Sequence, residues 1–429
     1  MKLASRISRL GTETAFEVLA EVNLLRKQGK DIIALSIGEP ACATADNIKD
    51  AAKKALDQDL THYSPSQGIV EFRTVIVEYV ARTRGIPVDP SEVVVVPGGK
   101  PVIFFSILAC VEEGDEVIYP LPGYPIYESM INFAGARAIP LRLREEKKFS
   151  FNIDELRSKV SDRTKMVIVN SPHNPTGGII PKNDLHEIAE LALKHDFWVL
   201  SDEIYSRIIY EGKQESISQF PGMKERTIIL DGHSKTYAMT GWRVGYGVMP
   251  RELALHVTRL MTNSNSCTAT FTQHAGMEAM TGDQNSVDLM VNEFRRNRDL
   301  IVDGLNAIEG FKCHKPAGAF YAYPNVTAVC REKGFQDSKQ LQQFLLYKAG
   351  VAVLGQQCFG ARAPDEIQEY IRLSYVSSPG EIGAALQRIQ TALSDSSLIK
   401  SFLKEEQTKN LITQRAGPII SLDKFNRNT

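Results

Sequence analysis

The sequence predicts an α/β protein with a mostly parallel central sheet in a large domain, accompanied by a smaller α+β domain. Two patterns point to it. Short runs rich in Val and Ile alternate with longer helical stretches, most regularly between about residues 46 and 285. Those runs are bounded by Gly, Pro, Asp or Ser, the residues that break strands. A chain of 429 residues is also long enough to bury more than one core.

Taken in order, Ala15, Val18, Leu19, Val22 and Leu25 form one face of an amphipathic helix ending near Gly29, and residues 32–37 read as a strand. Buried strands are predicted at residues 93–96, 116–119, 166–169, 197–200, 227–230 and 244–248. Between them lie helical stretches such as 181–194, which opens on a proline suited to a first turn and carries Leu185, Ile188, Leu191 and Leu193. After Asp288 come a long polar helix and short strands at 320–323, 351–353 and 370–373. The expected division is therefore a large domain over 46–285, a discontinuous small domain over 1–45 and 286–395, and a C-terminal extension over 396–429. The extension mixes a charged helical run with Gly417-Pro418 and a polar end, and reads as a partly ordered tail.

Composition excludes several functions. A formal net charge of −1 offers no basic field for nucleic acid, so small-molecule partners are expected. Residues 1–10 carry basic side chains with no apolar segment behind them, and no run of about 18 apolar residues occurs. A membrane association is therefore not expected. The six cysteines are scattered, with no Cys-x-x-Cys pair and no histidine at metal-ligand spacing. Reduced thiols in the cytoplasm and no metal site are the expectation.

The chemistry gathers at the carboxyl ends of predicted strands, where parallel sheets deliver functional groups. Lys235 follows the strand at 227–230, within Asp231-Gly232-His233-Ser234-Lys235-Thr236-Tyr237. Asn174 sits in a rigid turn, Asn170-Ser171-Pro172-His173-Asn174-Pro175-Thr176-Gly177. Asn-Pro-Thr-Gly alone is more often just a turn. Asp202, in Ser201-Asp202-Glu203-Ile204-Tyr205, is either a helix cap or a buried anion awaiting a cation. Pro97-Gly98-Gly99-Lys100-Pro101 brings backbone amides to a helix N-terminus, which suits a phosphate. Because Gly-x-x-x-x-Gly-Lys-Ser/Thr is absent, one monophosphate fits better than ATP. Ser234 and Arg243 add a hydroxyl and a permanent cation for the same phosphate. Gly232-His233-Ser234-Lys235-Thr236 matches only half of a hydrolase nucleophile elbow, since Thr236 stands where the second glycine belongs. The set as a whole fits a phosphorylated aldehyde cofactor held as a Schiff base.

Motifs spread over residues 13–392 carry a resemblance: Leu35-Ser36-Ile37-Gly38-Glu39-Pro40, Tyr63-Ser64-Pro65, Gly98-Gly99-Lys100, Pro122-Gly123-Tyr124-Pro125, Asn174-Pro175-Thr176-Gly177, Ser201-Asp202-Glu203-Ile204-Tyr205, Ser234-Lys235, Gly241-Trp242-Arg243-Val244-Gly245-Tyr246, Pro316-Ala317-Gly318-Ala319-Phe320-Tyr321 and Ile371-Arg372-Leu373-Ser374. The chain resembles the fold-type-I pyridoxal-phosphate enzymes of the class I/II aminotransferase family, in its aspartate aminotransferase-like branch. The resemblance implies pyridoxal 5'-phosphate as cofactor, an L-amino acid and a 2-oxo acid as substrates, and transfer through Schiff-base and quinonoid intermediates. It makes Lys235 the Schiff-base lysine and proton carrier, and Asp202 the partner of the pyridine nitrogen. It gives Asn174 and Tyr205 to the ring 3-oxygen and Tyr124 to stacking on the ring. It places Gly99, Lys100, Ser234 and Arg243 on the phosphate, with Tyr63 reaching over from a second subunit of a homodimer. Arg372 grips the α-carboxylate, helped by Gly38 and Asn174. Cys358 and His173 are expected only to line the site.

Two other outcomes stay open on the residues. The same cofactor supports elimination, decarboxylation, cyclisation or oxidation. A ligand-binding relative without turnover is a third reading, against which Lys235, Asp202 and Arg372 all speak. Departures from the family pattern bear on substrate: Glu39-Pro40 is followed by Ala41-Cys42-Ala43-Thr44-Ala45, Leu354 stands where proline is common, and no clear cation for a distal carboxylate is visible.

Overall fold

Val93–Val96, a run of four valines, is buried along its whole length, as a strand covered on both faces must be. Val94 and Val96 face one helical layer with Val102, Ile103 and Ile107, while Val93 and Val95 face the other with Phe72 and Ile76. Each such valine contributes about 1.5–3 kcal/mol by leaving water. This strand, β1, is one edge of a seven-stranded sheet in the computed structural model, which describes residues 3–362 and 365–416.

The other strands of the sheet are β2 (Glu116–Leu121), β3 (Arg137–Arg142), β4 (Thr164–Asn170), β5 (Trp198–Asp202), β6 (Thr227–Gly232) and β7 (Gly245–Val248), in the spatial order β1-β7-β6-β5-β4-β2-β3. Neighbours from β6 through β3 pair in parallel, and β7 runs antiparallel to both β6 and β1. The register sets Asn170 beside Asp202 and Asp202 beside Leu230, so three strand ends open at one level. The expected α/β architecture with a mostly parallel sheet is therefore the observed one.

Around the sheet lie α1 (Thr14–Lys27), α2 (Lys100–Cys110) and α3 (Ile126–Ala134). Val18 and Val22 of α1 are buried in one cluster with Leu141, Phe149 and Tyr323. A second group of elements follows, with the long helix α4 (Asn285–Asn306), α5 (Pro379–Ser394) and α6 (Ser396–Ala416). Ser378 and Glu381 close a capping box at the start of α5. A small antiparallel sheet has the order β9-β10-β8, with β8 at Tyr321–Ala322, β9 at Leu354–Gly355 and β10 at Ile371–Ser374. Ile33–Ala34 pairs in parallel with Val351–Ala352, tying the N-terminal segment to this part of the chain.

Three local expectations change. β3 lies outside the strands the sequence predicts, because it is a half-buried edge strand with arginine at both ends and Pro140 inside. The strand expected over 32–37 reduces to Ile33–Ala34, since the backbone then turns to pass close under Tyr321. The expected tail is helical as far as Ala416, and Ile399 and Phe402 of α6 are buried, Phe402 against Phe335 and Phe344. Gly417-Pro418 and the rest of the extension to 429 lie outside the described residues, as do Met1 and Lys2. No helix among the described residues is long and apolar enough to cross a membrane.

Candidate active site

A cavity of about 550 Å³ opens where the carboxyl ends of β4, β5 and β6 meet the segment around Gly38, the start of α1 and Arg372 of β10. It gathers eleven of the twelve residues singled out from the sequence: Gly38, Gly99, Lys100, Tyr124, Asn174, Asp202, Tyr205, Ser234, Lys235, Arg243 and Arg372. Tyr63, the twelfth, is 89 % exposed and stands outside it. Cys358 lines the cavity as expected. His173 does not: it is buried inside the turn, its Nδ1 2.9 Å from Thr176 Oγ1, and burial pushes its pKa down to about 3.

Lys235 lies in the short helix His233–Thr236 that follows β6, and its Nζ donates to the Gly38 carbonyl at 2.7 Å. Burial lowers its pKa to about 8, and the nearby cations Arg372, Arg243 and Lys100 act in the same direction, with Glu39 opposing. Asp202 ends β5 on the same cavity. One of its oxygens accepts from Tyr127 Oη at 2.6 Å and the other from the Ile204 amide at 3.2 Å. Burial raises this carboxyl to about 6, against the pull of those two hydrogen bonds. The site thus holds an amine made easier to deprotonate and a carboxylate poor in cationic company.

Beside them, Asn174 is set by its turn, where its amide donates to Asn170 Oδ1 at 2.9 Å. Its own Oδ1 accepts from Arg372 Nη1 at 3.0 Å. Arg372 Nη2 donates to the Ser36 carbonyl at 2.5 Å, and its Nε is buried without a partner. The guanidinium lies 4.4 Å from the centre of the Tyr321 ring and 4.9 Å from that of Phe359. Tyr205 and Tyr321 share a hydroxyl hydrogen bond of 2.7 Å. A Cβ on Gly38 would stand 1.9 Å from Tyr321 Oη, so the backbone approaches the ring as closely as only glycine permits.

On the far wall, β1 runs through Pro97-Gly98-Gly99 into α2, which begins at Lys100. Gly98 has φ +82° and presses against Arg243, whose Nη2 donates to the Pro97 carbonyl at 3.2 Å and Nη1 to the Thr240 carbonyl at 2.7 Å. Ser234 is buried at the same corner. A helix N-terminus, a hydroxyl and a guanidinium together form an anion cradle.

Several contributors were not assigned from the sequence. Tyr127 holds Asp202, and it stands two residues beyond the Pro122-Gly123-Tyr124-Pro125 motif. Tyr321 ends the Pro316-Ala317-Gly318-Ala319-Phe320-Tyr321 motif, and the resemblance gives it no role. Glu13, just before α1, accepts from Lys100 Nζ and, at 3.0 Å, from Tyr124 Oη. Beneath the floor, the fully buried Arg84 bridges Glu203 at 2.9 Å and Asp231 at 2.5 Å. No local pattern marks Glu13 or Arg84, since the partners that tie Glu13 to Lys100 and Tyr124 and Arg84 to the two carboxylates lie 87 or more residues away in the chain.

The chain is similar to known proteins in both sequence and fold. The family model for aminotransferase class I and II matches residues 30–389. The probable aspartate/prephenate aminotransferase of Aquifex aeolicus is 36 % identical over 397 residues, covering 92 % of this chain and 99 % of that protein. The aromatic-amino-acid aminotransferase 2 of Thermococcus litoralis is 35 % identical, covering 86 % of this chain and 93 % of that one. Among solved structures, the aspartate aminotransferase from Thermus thermophilus with maleate superposes with a TM-score of 0.85 at 35 % identity, covering 91 % of this chain and all of that one. On the match of its sequence and fold, the chain belongs to the class I and II aminotransferase family.

Proposed function

We propose that the protein is a pyridoxal 5'-phosphate-dependent aminotransferase that moves an amino group between an L-amino acid and a 2-oxo acid. The observation that carries this reading is the placement, on one cavity, of the Lys235 amine, the buried Asp202 carboxylate and the Arg372 guanidinium, with burial displacing the amine downward and the carboxyl upward. The donor set fits the cofactor. The cradle of Gly99, Lys100, Ser234 and Arg243 suits its phosphate, Asp202 its ring nitrogen, Asn174 and Tyr205 its ring oxygen, and Tyr124 its ring face. When bound, the cofactor supplies an aldehyde conjugated to an electron-withdrawing ring, which draws off the electrons of a bond broken at the amino acid Cα.

Everything else is done by the chain. Lys235, partly neutral near pH 8, is a nucleophile toward an aldehyde and afterwards a base that takes the proton from the amino acid Cα and would deliver it to the carbon that had been the cofactor's aldehyde. Asp202 stabilises positive charge at the ring nitrogen, and Tyr127 and the Ile204 amide keep it aimed. Arg372 holds the α-carboxylate with its unpartnered Nε and the Nη groups that Asn174 and Ser36 orient. The gripped carboxylate leaves Cα facing the lysine, and the cavity walls exclude water from the exchange.

The near-complete exposure of Tyr63, with Leu56 and Val70 also exposed, supports the homodimer reading in which Tyr63 completes a partner's phosphate site. The division into a large domain over 46–285 and a discontinuous small domain belongs to the same proposal, supported by the pairing of Ile33–Ala34 with Val351–Ala352. Residence in the cytoplasm accords with six free thiols. The test is to mix the purified protein with a panel of amino acids and follow cofactor absorbance. Conversion of the cofactor band by an amino acid and its restoration by a 2-oxo acid is expected. Release of ammonia or carbon dioxide, or oxygen uptake, without restoration would overturn the reading.

A further inference from the structure

Cations decide which substrate side chains a pocket of this kind accepts. The cavity holds four: Lys235, Arg243, Arg372 and Lys100. In the proposed reaction, on which this inference rests, the first three are committed to the cofactor aldehyde, the phosphate and the α-carboxylate. Lys100 serves the phosphate through its backbone amide at the start of α2, which leaves its side-chain ammonium as the remaining cation; that ammonium is engaged by Glu13, whose carboxylate also accepts from Tyr124 Oη at 3.0 Å. The Lys100 ammonium lies 5.5 Å from the centre of the Phe16 ring and 5.7 Å from that of Tyr124, so the pair sits against the aromatic wall. Glu13 directly precedes α1, where the positive end of the helix favours a carboxylate. Its side chain is only 18 % exposed, against 41 % for Lys100. The surrounding wall is apolar: Ala15, Phe16, Ile37, Ile103 and Phe359.

We propose that Glu13 is a specificity-determining residue whose carboxylate takes the seat of a substrate's distal carboxylate, so that the pocket selects amino acids with neutral apolar or aromatic side chains over dicarboxylic ones. A dicarboxylic ligand brings its second charge beside Glu13 and finds Lys100 already neutralised; a neutral side chain packs on the wall and leaves the pair intact. Selectivity thus arises from a built-in repulsion as well as from apolar contact.

The test uses the cofactor-loaded protein and two unreactive acids, maleate and 3-phenylpropionate, with dissociation constants measured by calorimetry. The wild-type protein is expected to bind 3-phenylpropionate at least about tenfold more tightly than maleate. Glu13→Gln is expected to tighten maleate about tenfold or more, and adding Lys100→Gln to remove that gain. Maleate binding to the wild type as tightly as 3-phenylpropionate would overturn the proposal, and this arm needs no variant to fold. An unchanged maleate constant in Glu13→Gln would overturn it as well. Failure of the transaminase reading looks different: no amino acid alters the cofactor absorbance, while the maleate constants still respond to Glu13→Gln.

Discussion

Lys235 and Asp202 sit on one cavity with displacements that suit opposite tasks. An ordinary lysine at pH 8 is unprotonated in only about 0.3 % of molecules, whereas one titrating near 8 is half unprotonated. Capture of the cofactor aldehyde by the apoprotein is therefore expected to rise with pH to half its maximum near 8; a midpoint near 10.5 in stopped-flow absorbance would contradict the account. The sign for stability follows from the same shift. Between about pH 8 and 10.5 the unfolded chain binds more protons at this position, so the contribution of Lys235 to stability rises with pH across that window. Asp202→Asn keeps the shape and removes the charge, and should lower kcat/KM by about 10²–10³-fold with folding intact by circular dichroism. Tyr127→Phe removes a hydrogen bond that holds Asp202 down, and should move the acid limb of the pH–rate profile upward. At this scale the sequence was informative wherever a residue closes a strand, as Asp202 does, or sits in the turn just after one, as Asn174 does. It was silent on Tyr127 and Glu13, whose importance exists only through tertiary contact.

Among the elements, strands buried on both faces were the easiest to read. β1 is a continuous apolar run, and β5 and β6 carry the apolar runs Trp198-Val199-Leu200 and Ile228-Ile229-Leu230, because both faces are covered, and such runs survive any ambiguity of period. β3 has one covered side and an arginine at each end, so its pattern resembles a loop as much as a strand. The C-terminal run was the larger surprise: its charged residues suggested a tail, but Ile399 and Phe402 dock α6 onto Phe335 and Phe344. Phe402 is 2 % exposed, so Phe402→Ala should destabilise the protein by about 3–5 kcal/mol, read as a lower urea midpoint with an unchanged slope. A change below about 0.5 kcal/mol would mean that α6 adds little to the fold.

For the whole molecule, the relation between the sheet and the segments packed over its carboxyl edge is what makes a site. Residues from Glu13 to Arg372 converge there, and the register of β4, β5 and β6 sets the level at which they meet. Tyr63 lies outside this convergence, which makes the assembly testable. The chain of 47.7 kDa is expected to sediment at twice its mass, and Tyr63→Phe to weaken cofactor retention without dissociating the dimer. The central claim is amino transfer through Lys235, and a half-reaction tests it most directly. The account predicts that a neutral amino acid converts the cofactor absorbance stoichiometrically, that a 2-oxo acid reverses it, and that Lys235→Ala slows both by at least about 10²-fold; half-reactions of undiminished rate in Lys235→Ala would contradict it.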